Sequence, residues 1–217
     1  MKKTILLLVA VAFGFTSFAQ KPSEGNLLTE ANFSLNQWNN EFSLPNLRFR
    51  YFLADDLALR VDLSLTGSSE ENNFGTTDAS GTQEISNSGF GMRVGAEKHW
   101  GGNDKFSPFA SAMIGFGSNS RTETWTNYDG NGYADGFNAE VESGGSTFGI
   151  TLGIGADYWI TESFYMGTEF GWGWGSNTVD DGTATVNGTT STTLGGSSSG
   201  FGEGMANAGF RVGFVLK

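Results

Sequence analysis

Histidine and cysteine, which most often carry nucleophilic or metal chemistry, are almost absent from this sequence of 217 residues. There is no cysteine, and His99 is the only histidine. Acyl transfer by a serine nucleophile needs a positioned base, and histidine usually supplies it. With His99 as the one candidate, we predict no enzymatic activity and no cofactor. We expect His99 to have an interfacial or turn-capping role.

Arginines and carboxylates alternate with apolar residues in several short segments. Arg48 and Arg50, for example, flank Phe49. Successive side chains of a strand point to opposite faces, so the charged residues share one face. Glu30 falls on the same face of the first alternating segment. Buried charges need pairing, and guanidinium with carboxylate pairs best. We predict a buried charge network that consists of Arg48, Arg50, Arg60, Asp62, Arg93, Glu97, Asp157, Glu169 and Arg211.

A second set of carboxylates lies outside the alternating segments, where Arg121 is nearly the only basic residue. They are Glu70, Glu71, Asp78, Glu84, Glu123, Asp129, Asp135, Glu140, Glu142, Asp180 and Asp181. The formal net charge of the whole chain is -11. Such a chain repels nucleic acid, so we exclude a nucleic-acid partner.

Residues 129–135 place oxygen-bearing side chains at alternate positions, starting with Asp129 and Asn131. This spacing is similar to the start of a calcium-binding loop, but the closing bidentate glutamate is missing. A solvated, self-repelling acidic loop is the better interpretation, and we predict no metal site. Calcium binding stays open as the alternative.

The elements that position these side chains are strands, because apolar residues recur with a period of two. Leu57, Leu59, Val61, Leu63 and Leu65 alternate without interruption. The 33 glycines and the many aromatic residues also disfavour helices. The pattern occurs eight times, over residues 27–35, 47–53, 57–65, 90–100, 108–116, 148–158, 164–174 and 208–216.

The N-terminal segment predicts export. Lys2 and Lys3 precede an apolar run that ends at Phe15, and small residues stand at Ser17 and Ala19. This is the pattern of a signal peptide. The run is shorter than the roughly 20 residues of a spanning helix, so cleavage is favoured over an uncleaved anchor. We predict a signal peptide over 1–19 and one domain over 20–217.

Connections between the predicted strands alternate in length. Short turns are expected around Asp55, Asn103 and Thr161, and long loops over 36–46, 66–88, 117–147 and 176–205. Strands of about ten residues can cross a bilayer when tilted. Outer-membrane barrels have short periplasmic turns and long extracellular loops. The Gly-, Ser- and Thr-rich residues 183–200 are expected to be flexible.

A soluble β-sandwich would also alternate, but its polar face would be rich in Thr, Ser, Lys and Gln. Here that face carries glycine, arginine and carboxylates. Trp100, Trp159, Trp172 and Trp174 end strands, as membrane-interface aromatics do, although a soluble core could also hold them. We predict an all-β fold, a closed antiparallel eight-stranded up-and-down transmembrane β-barrel.

The segments 108–117 and 148–156, which mix glycine with apolar residues, together with the strand count and the closing strand, resemble those of a known family. The sequence is similar to the small outer-membrane β-barrel proteins that include OmpX and the barrel domain of OmpA. The resemblance covers all of the chain after the predicted signal peptide. It implies a location in the outer membrane of a Gram-negative bacterium, and it implies no catalytic motif.

The expected function is a structural or interaction role, with a lumen filled by side chains and acidic extracellular loops that meet a partner. The expected partners are the lipid bilayer and another outer-membrane protein. One alternative is an accessory subunit of a larger outer-membrane complex, docked through Trp172 and Trp174. A narrow, porin-like channel and a lipid-acting enzyme are further alternatives. The enzyme is disfavoured because His99 falls at the periplasmic end of its strand.

Overall fold

The computed structural model describes residues 21–34, 46–75, 80–130, 133–201 and 207–216. The signal peptide predicted over 1–19 lies outside the described residues, so the division of the chain at residue 20 stays a prediction. The described strands are β1 (Leu27–Ser34), β2 (Asn46–Ala54), β3 (Leu57–Gly75), β4 (Ser80–His99), β5 (Phe106–Gly130), β6 (Tyr133–Trp159), β7 (Phe164–Val179), β8 (Gly182–Val186), β9 (Thr189–Thr193), β10 (Gly196–Phe201) and β11 (Asn207–Leu216). Among the described residues, no helix has the length and apolarity needed to span a membrane.

Eight of these strands close into a ring. From β1 to β7, each strand pairs antiparallel with the next. The ring closes through β11, because Val212 aligns with Met166 of β7 on one side and with Ala31 of β1 on the other. A closed sheet has no unpaired edge around its circumference. The predicted eight-stranded antiparallel up-and-down barrel is confirmed.

The outer surface of the ring is apolar. Most outward-facing aliphatic and aromatic side chains are more than a third exposed, and Leu152 and Ile154 reach 64%. An exposed apolar band around a closed barrel is the surface that faces lipid. We call it the apolar belt, and its main members are Leu59, Leu65, Phe90, Val94, Ile114, Phe116, Phe148, Ile150, Leu152, Ile154, Phe170 and Phe210.

Three of the four long loops expected from the sequence are mainly strand, which corrects that prediction. Strands β3 and β4 stay paired from the belt to Gly75 and Ser80. Strands β5 and β6 stay paired to Gly130 and Tyr133. Over these stretches the outward residues are Ser, Thr, Asn, Glu and Gly, so the apolar alternation used to find strands ends before the strands do. The fourth expected loop, over 36–46, lies almost entirely outside the described residues.

The segment expected to be flexible, residues 183–200, is also ordered into strands. β8 continues the path of β7 along β6, and Glu142 aligns with Thr183. β9 then returns along β8, and β10 pairs with β7. The turn between β8 and β9 is made by Asn187 and Gly188, which both have positive φ. Such Asn-Gly pairs suit tight hairpins because glycine adopts positive φ without strain.

The strands beyond the belt therefore form one continuous sheet, which we call the wall. It consists of residues 66–75, 80–89, 117–130, 133–147 and 175–201. At roughly 3.3 Å per residue, the part of β5 above the belt is about 40 Å long. The described parts of β1, β2 and β11 end near the top of the belt, at Ser34, Asn46 and Asn207. The described rim is thus tall on one side and low on the other.

At the opposite end of the barrel, the short turns lie where the sequence predicted them. Asp55 and Asp56 connect β2 to β3, and Lys98 forms an ion pair with Asp56. This hydrogen bond from Lys98 lowers the pKa of Asp56 below its ordinary value. Gly101 and Gly102, in the turn before β5, both have positive φ. A side chain at Gly102 would meet the carbonyl oxygen of Phe106, so the turn requires glycine there.

Candidate functional site

The barrel interior holds all nine charged residues predicted for the network, together with Glu30. Arg50 and Arg211 are completely buried, and Arg60 is 2% exposed. Strand alternation turns these side chains inward, and members that share a strand lie an even number of residues apart, as Arg48 and Arg50 do on β2. Five arginines meet five carboxylates, Glu30, Asp62, Glu97, Asp157 and Glu169, so the network has no net formal charge.

Arg60 pairs with three carboxylates of the network. Its Nε and Nη2 donate to the two carboxylate oxygens of Asp62, both at 2.9 Å. Its Nη1 donates to Glu97 Oε1 at 2.9 Å and to Glu169 Oε1 at 2.6 Å. Arg48 binds the same Asp62 from the neighbouring strand at 2.8 Å and reaches Glu169 at 2.9 Å. The upper network therefore links β2, β3, β4 and β7 across the lumen.

The lower network is organised by Arg50 and Arg211. Arg50 pairs with Glu30 on β1, and its Nη1 donates to both Glu97 and Asp157 at 2.9 Å. Arg211 donates to Asp157 through Nη2 at 2.6 Å. Each guanidinium also lies against a ring, with the Arg211 guanidinium carbon 4.2 Å from the Phe109 centroid. Such contacts stabilise a desolvated cation.

Arg93 occupies a different position from the other four arginines. It donates to Asp62 at 2.9 Å, but its side chain is 23% exposed, at the top of the network. The inward positions beside and above it include glycines, since Gly115 aligns with Arg93 and Gly91 lies above it on β4. Glycine is also required lower down: a Cβ at Gly153 would stand 2.8 Å from Glu169 Oε1. Inward glycines thus make room for the long charged side chains.

An apolar cluster fills the lumen at the short-turn end. It comprises Leu28, Phe52, Ala58, Trp159 and Tyr165, each at most 1% exposed. Trp159 and Tyr165 are in ring contact at 4.5 Å. This corrects the prediction of Trp159 as a membrane-interface aromatic. Trp159 follows the alternation of Asp157 and points inward, and the neighbouring Tyr158, which is 52% exposed, points outward instead.

His99 also lies inside the barrel rather than at the interface, where the sequence placed it. It is 5% exposed and packs between Phe52 and Phe109, with ring centroids 5.4 and 5.5 Å away. Its Nδ1 is 2.9 Å from Ser107 Oγ, and its Nε2 is 3.6 Å from Glu97 Oε2. The end of the strand was predicted correctly, but the direction of the side chain was not.

Ser107, His99 and Glu97 are the residue types of a serine-hydrolase catalytic triad. Their accessibility and their other partners decide whether they could act as one. Ser107 is 3% exposed and Glu97 is completely buried. Glu97 already accepts from Arg50, Arg60 and Arg211, which leaves it poorly placed to orient His99. A nucleophile must also reach its substrate. The arrangement resembles structural packing more than a catalytic site.

The other three predicted interface tryptophans face outward. Trp100 is 51% exposed at the short-turn end, and Trp172 is 57% exposed at the top of the belt. Trp174 is half-buried because Phe148 contacts it edge-on at 6.3 Å. Trp172 stacks on Phe201 of β10 at 5.3 Å. Aromatic side chains therefore stand at both margins of the belt, as they do at membrane interfaces.

The outer face of the wall is hydroxylic and acidic. On β5 the outward residues above the belt are Ser118, Ser120, Thr122, Thr124 and Thr126. In one row across the sheet, Glu71 aligns with Glu84, Glu84 with Thr124, and Thr124 with Glu140. Directly opposed glutamates such as Glu71 and Glu84 repel each other. Among the described residues, no group of His, Asp or Glu has the arrangement of a metal site. The calcium candidate at 129–135 includes Asn131 and Gly132, which lie outside the described residues.

The inner face of the wall carries aromatic and aliphatic residues around one glutamate. Phe74, Trp125 and Tyr128 contact one another, with Trp125 and Tyr128 edge-on at 4.7 Å. Below them, Glu123 accepts hydrogen bonds from Gln83 at 2.7 Å and from Trp125 and Arg121 at 2.9 Å. Partial burial raises the pKa of Glu123, but these hydrogen bonds outweigh it and lower the pKa overall.

Sequence analysis did not predict this inner aromatic group. It depends on a bulge in β5, where the register shifts between Trp125 and Tyr128 and Asn127 has φ 47°. The bulge turns Tyr128 to the inner face, where it is 2% exposed. Gly81 allows the two hairpins to meet, because a Cβ there would stand 2.7 Å from the Tyr128 Cα. The only available signal was the run of β-branched and aromatic residues around Trp125.

Comparisons with known proteins found solved structures only. No protein-family model and no curated protein matches the chain. The N-terminal β-barrel domain of Pseudomonas aeruginosa OprF is 15% identical, with 90% of this chain and 100% of that one covered and a TM-score of 0.43. Ail, the attachment invasion locus protein of Yersinia pestis, is 11% identical, with 89% and 99% covered and a TM-score of 0.36. Acinetobacter baumannii CarO is 12% identical, with 91% and 99% covered and a TM-score of 0.35. At such identities and scores, the assignment of the fold rests on the strand ring itself.

The closed ring, the exposed apolar belt and the charged lumen are together the architecture of small outer-membrane β-barrels. A soluble sandwich would bury its apolar face, but Leu152 and Ile154 are mostly exposed. The resemblance noted in the sequence and the outer-membrane location are therefore confirmed at the level of architecture. The bilayer surrounds the belt, and the wall lies beyond it on the side opposite the short turns.

Proposed function

We propose that this chain is a non-enzymatic outer-membrane barrel whose wall is an interaction surface on the cell exterior. The observation that carries the proposal is the extension of β3 to β6 beyond the belt as paired strands. Anchoring in the bilayer needs only about ten residues per strand, whereas β5 has 25 and β6 has 27. The wall is additional structure that membrane insertion does not explain, and ordered surface structure is where binding functions concentrate.

The charge network supports a structural role for the barrel rather than transport. Arg60 reaches Asp62 on its own strand, Glu97 on β4 and Glu169 on β7. An eight-stranded barrel is just wide enough for side chains to fill its interior. Below the network, the apolar cluster around Trp159 adds a second obstruction. The narrow-channel alternative would require these side chains to move aside in a low-dielectric interior.

The burial of Ser107 and His99 supports the absence of catalysis. Both are at most 5% exposed inside the barrel, and Phe52 and Phe109 cover the imidazole. An enzyme acting on lipid of the outer leaflet would need its nucleophile on the outer surface near the wall. A role as an accessory subunit, docked through the belt at Trp172, remains the second candidate because Trp172 and Phe201 form an exposed stacked pair.

The test compares the full chain with a short-wall variant in outer-membrane extracts. Residues 68–87, 120–144 and 179–196 are each replaced by an Asn-Gly turn, which keeps the registers of Gly67 with Ser88, Asn119 with Gly145 and Thr178 with Ser197. Heat-modifiable migration on SDS gels reports whether each barrel is folded. Native electrophoresis after mild detergent extraction reports whether it belongs to an assembly.

The proposal predicts that the full chain migrates in an assembly and that the folded short-wall variant migrates as a monomer. If the full chain is also monomeric, the proposal fails. If the short-wall variant keeps the assembly and Trp172→Ala loses it, the accessory-subunit role replaces the wall. Steady single-channel conductance of the full chain in planar bilayers would contradict the sealed lumen.

A further inference from the structure

Of the five arginines in the charge network, Arg93 is the one that water reaches. Its side chain is 23% exposed, whereas those of Arg48 and Arg60 are 1% and 2% exposed. These two buried arginines close the lumen below Arg93, so water reaches it from the side of the wall. The interior directly above Arg93, which we call the upper lumen, is bounded by one row of residues across β3 to β6: Ser64, Gly91, Gly117 and Thr147.

Arg93 uses little of its hydrogen-bonding capacity within the described part of the chain. A guanidinium carries five N–H donors, but Arg93 makes one ion pair, from Nη2 to Asp62 at 2.9 Å. Arg48 and Arg60 contact the same Asp62 carboxylate at 2.8 and 2.9 Å. Those two arginines also reach Glu169, whereas Arg93 has no second carboxylate among the described residues. Arg93 therefore presents unused donors and incompletely neutralised charge to the upper lumen.

Two hydroxyl groups lean over the glycines in the row above Arg93. A Cβ at Gly91 would overlap Ser64 Oγ, so this hydroxyl lies over β4. A Cβ at Gly117 would stand 2.7 Å from Thr147 Oγ1, so the second hydroxyl lies over β5. Adjacent strands are about 4.8 Å apart, so the two hydroxyls converge. Neither has a side-chain hydrogen bond to another residue in the described ranges.

The guanidinium and the hydroxyls reach the upper lumen from different directions. Arg93 lies in the row below, between Asp62 and Gly115. Its stem packs on Gly115, where a Cβ would stand 3.0 Å from Arg93 Cγ. The cation is thus beneath the space that the two hydroxyls flank. A tetrahedral oxyanion presents acceptor oxygens in three directions at once, whereas a carboxylate presents two in one plane, so this arrangement favours phosphate or sulfate.

Arg93 is the one charge among the described residues around the upper lumen. On β5 the next inward charge above Gly115 is Arg121, about 20 Å away along the strand. On β3 the first inward carboxylate above Asp62 is Glu70, which is farther still. Charges separated by more than roughly 8 Å are largely screened at physiological ionic strength. The acidic wall therefore leaves the attraction of Arg93 for an anion largely intact.

We propose that the upper lumen binds a tetrahedral oxyanion, phosphate or sulfate, between the Arg93 guanidinium and the hydroxyls of Ser64 and Thr147. Hydrogen bonds from arginine to phosphate are among the strongest in proteins. The closed ring separates the lumen from lipid, so the anion is a free ion or a group on a small soluble molecule. The inference goes beyond the proposed function, because this site lies inside the barrel and not on the wall.

The test follows the arginine Nε–H resonances of the ¹⁵N-labelled full chain in dodecyl maltoside micelles. Arg93→Lys assigns the Arg93 resonance by its loss. Sodium phosphate is titrated against sodium chloride at constant ionic strength and pH 7. We expect the Arg93 resonance to shift and saturate, while that of the exposed Arg121 shifts little. No shift of Arg93, or parallel shifts of the two arginines without saturation, would overturn the proposal.

Two further anions test the class of ligand. Acetate has the same kind of acceptor oxygens in one plane and should bind at least about fivefold more weakly than phosphate. Equal affinity for acetate and phosphate would overturn the assignment to tetrahedral oxyanions. Glucose 6-phosphate distinguishes the two sources: tighter binding than inorganic phosphate assigns the site to a phosphorylated solute, and weaker binding assigns it to the free ion.

The site variant is Ser64→Ala with Thr147→Val, which removes both hydroxyls and leaves Arg93 in place. The matched control is Ser118→Ala with Thr122→Val, two hydroxyls on the outer face of β5. The site variant should bind phosphate at least about tenfold more weakly, and the control by less than about twofold. Unchanged binding by the site variant would contradict the proposed geometry. Heat-modifiable migration confirms that each variant is folded.

The short-wall variant separates this inference from the proposed function. It retains Arg93, Ser64 and Thr147, so it should bind phosphate as the full chain does, whatever its migration on native gels. Loss of phosphate binding in the folded short-wall variant would place the anion on the wall and overturn the site in the upper lumen. A monomeric full chain that still binds phosphate would refute the proposed function and leave this inference standing.

Discussion

Within the belt, strands β3 to β6 turn charge inward and apolar residues outward, whereas in the wall the same strands keep their aliphatic residues on the inner face only. Val61 faces lipid beside the inward Arg60, but Val141 faces the barrel mouth beside the outward Glu140. The alternation is unbroken through both regions of β3. What changes is the medium outside the sheet, which is lipid around the belt and water around the wall.

The two regions also differ in how deeply their charged side chains are buried and in how many partners these have. Arg60 is 2% exposed and has three carboxylate partners, but the wall's Arg121 side chain is 44% exposed and pairs only with Glu123. Buried charges are costly unless fully paired, and exposed ones are nearly free. We infer that the barrel's stability depends on its polar residues to an extent that the wall's does not. Four predictions examine this contrast, from the largest expected effect to the smallest.

The first prediction concerns the centre of the network. Arg60→Leu leaves Asp62, Glu97 and Glu169 short of a cation inside the barrel, so the free energy of unfolding should fall by about 3 to 5 kcal/mol. Urea unfolding in detergent micelles measures the change. The matched control is Arg121→Leu in the wall, where less than about 1 kcal/mol is expected. Equal effects at the two arginines would abolish the contrast between lumen and wall.

The second prediction concerns the lipid-facing side. Val61→Arg places a cation on the belt, near the middle of residues 57–65 of β3, and should cost roughly 2 to 4 kcal/mol. Ser120→Arg, on the same outer face but above the belt, should change the unfolding free energy by less than about 0.5 kcal/mol. The same urea assay applies. An unaffected midpoint for Val61→Arg would mean that this face does not contact lipid.

The third prediction separates inward from outward tryptophans. Trp159→Phe leaves a void in the apolar cluster at the short-turn end and should cost about 1 to 3 kcal/mol. Trp100→Phe, at the outer surface of the same end, should cost less than about 0.5 kcal/mol. Thermal unfolding followed by circular dichroism measures both. If Trp100 proves the more sensitive, the assignment of Trp159 to the lumen is wrong.

The fourth prediction is a small pH effect confined to the wall. Hydrogen bonds from Gln83, Arg121 and Trp125 lower the pKa of Glu123, despite partial burial that raises it. A carboxyl with a lowered folded pKa stabilises the fold above its unfolded pKa, and this contribution is lost as pH falls through the folded value. The Trp125 indole N–H resonance should therefore shift with a midpoint below 4.5, the ordinary value. Trp172, which lies far from Glu123 along the barrel, is the control, and Glu123→Gln should remove the transition. A midpoint at or above pH 4.5 would contradict the lowered pKa of Glu123.

The sequence predicted most of the barrel because alternation is a local signal. Arg48, Arg50 and Arg60 point inward in the structure, as period two requires. The two side-chain directions that were predicted wrongly, those of Trp159 and His99, arose where the alternation of the strand was not followed to its last residue. Trp159 shares its parity with Asp157, and His99 shares its parity with Glu97, so both inward directions could have been predicted. The expectation that tryptophans at strand ends face the membrane led to the wrong side.

Sequence analysis did not predict the strands of the wall, and the reason is different. Thr122, Thr124 and Thr126 alternate with inward residues, but their own face is polar, so a search for apolar alternation stops at Phe116. High β-propensity was the remaining signal, and it is weaker and depends on context. In addition, the aromatic contact of Phe74 with Tyr128 needs the bulge at Asn127 and the close approach at Gly81, which no local pattern announces.

The sequence by itself determined which side chains face inward, because successive residues of a strand must point to opposite faces. Only the tertiary structure decided which charges meet. Arg48 pairs with Glu169, 121 residues away, because the ring closes through β11 and brings β7 across the lumen from β2. Closure and stagger are properties of the whole sheet. The choice of ion-pair partners, the apolar cluster around Trp159 and the contact of Phe74 with Tyr128 therefore all depend on contacts between strands that are distant in the chain.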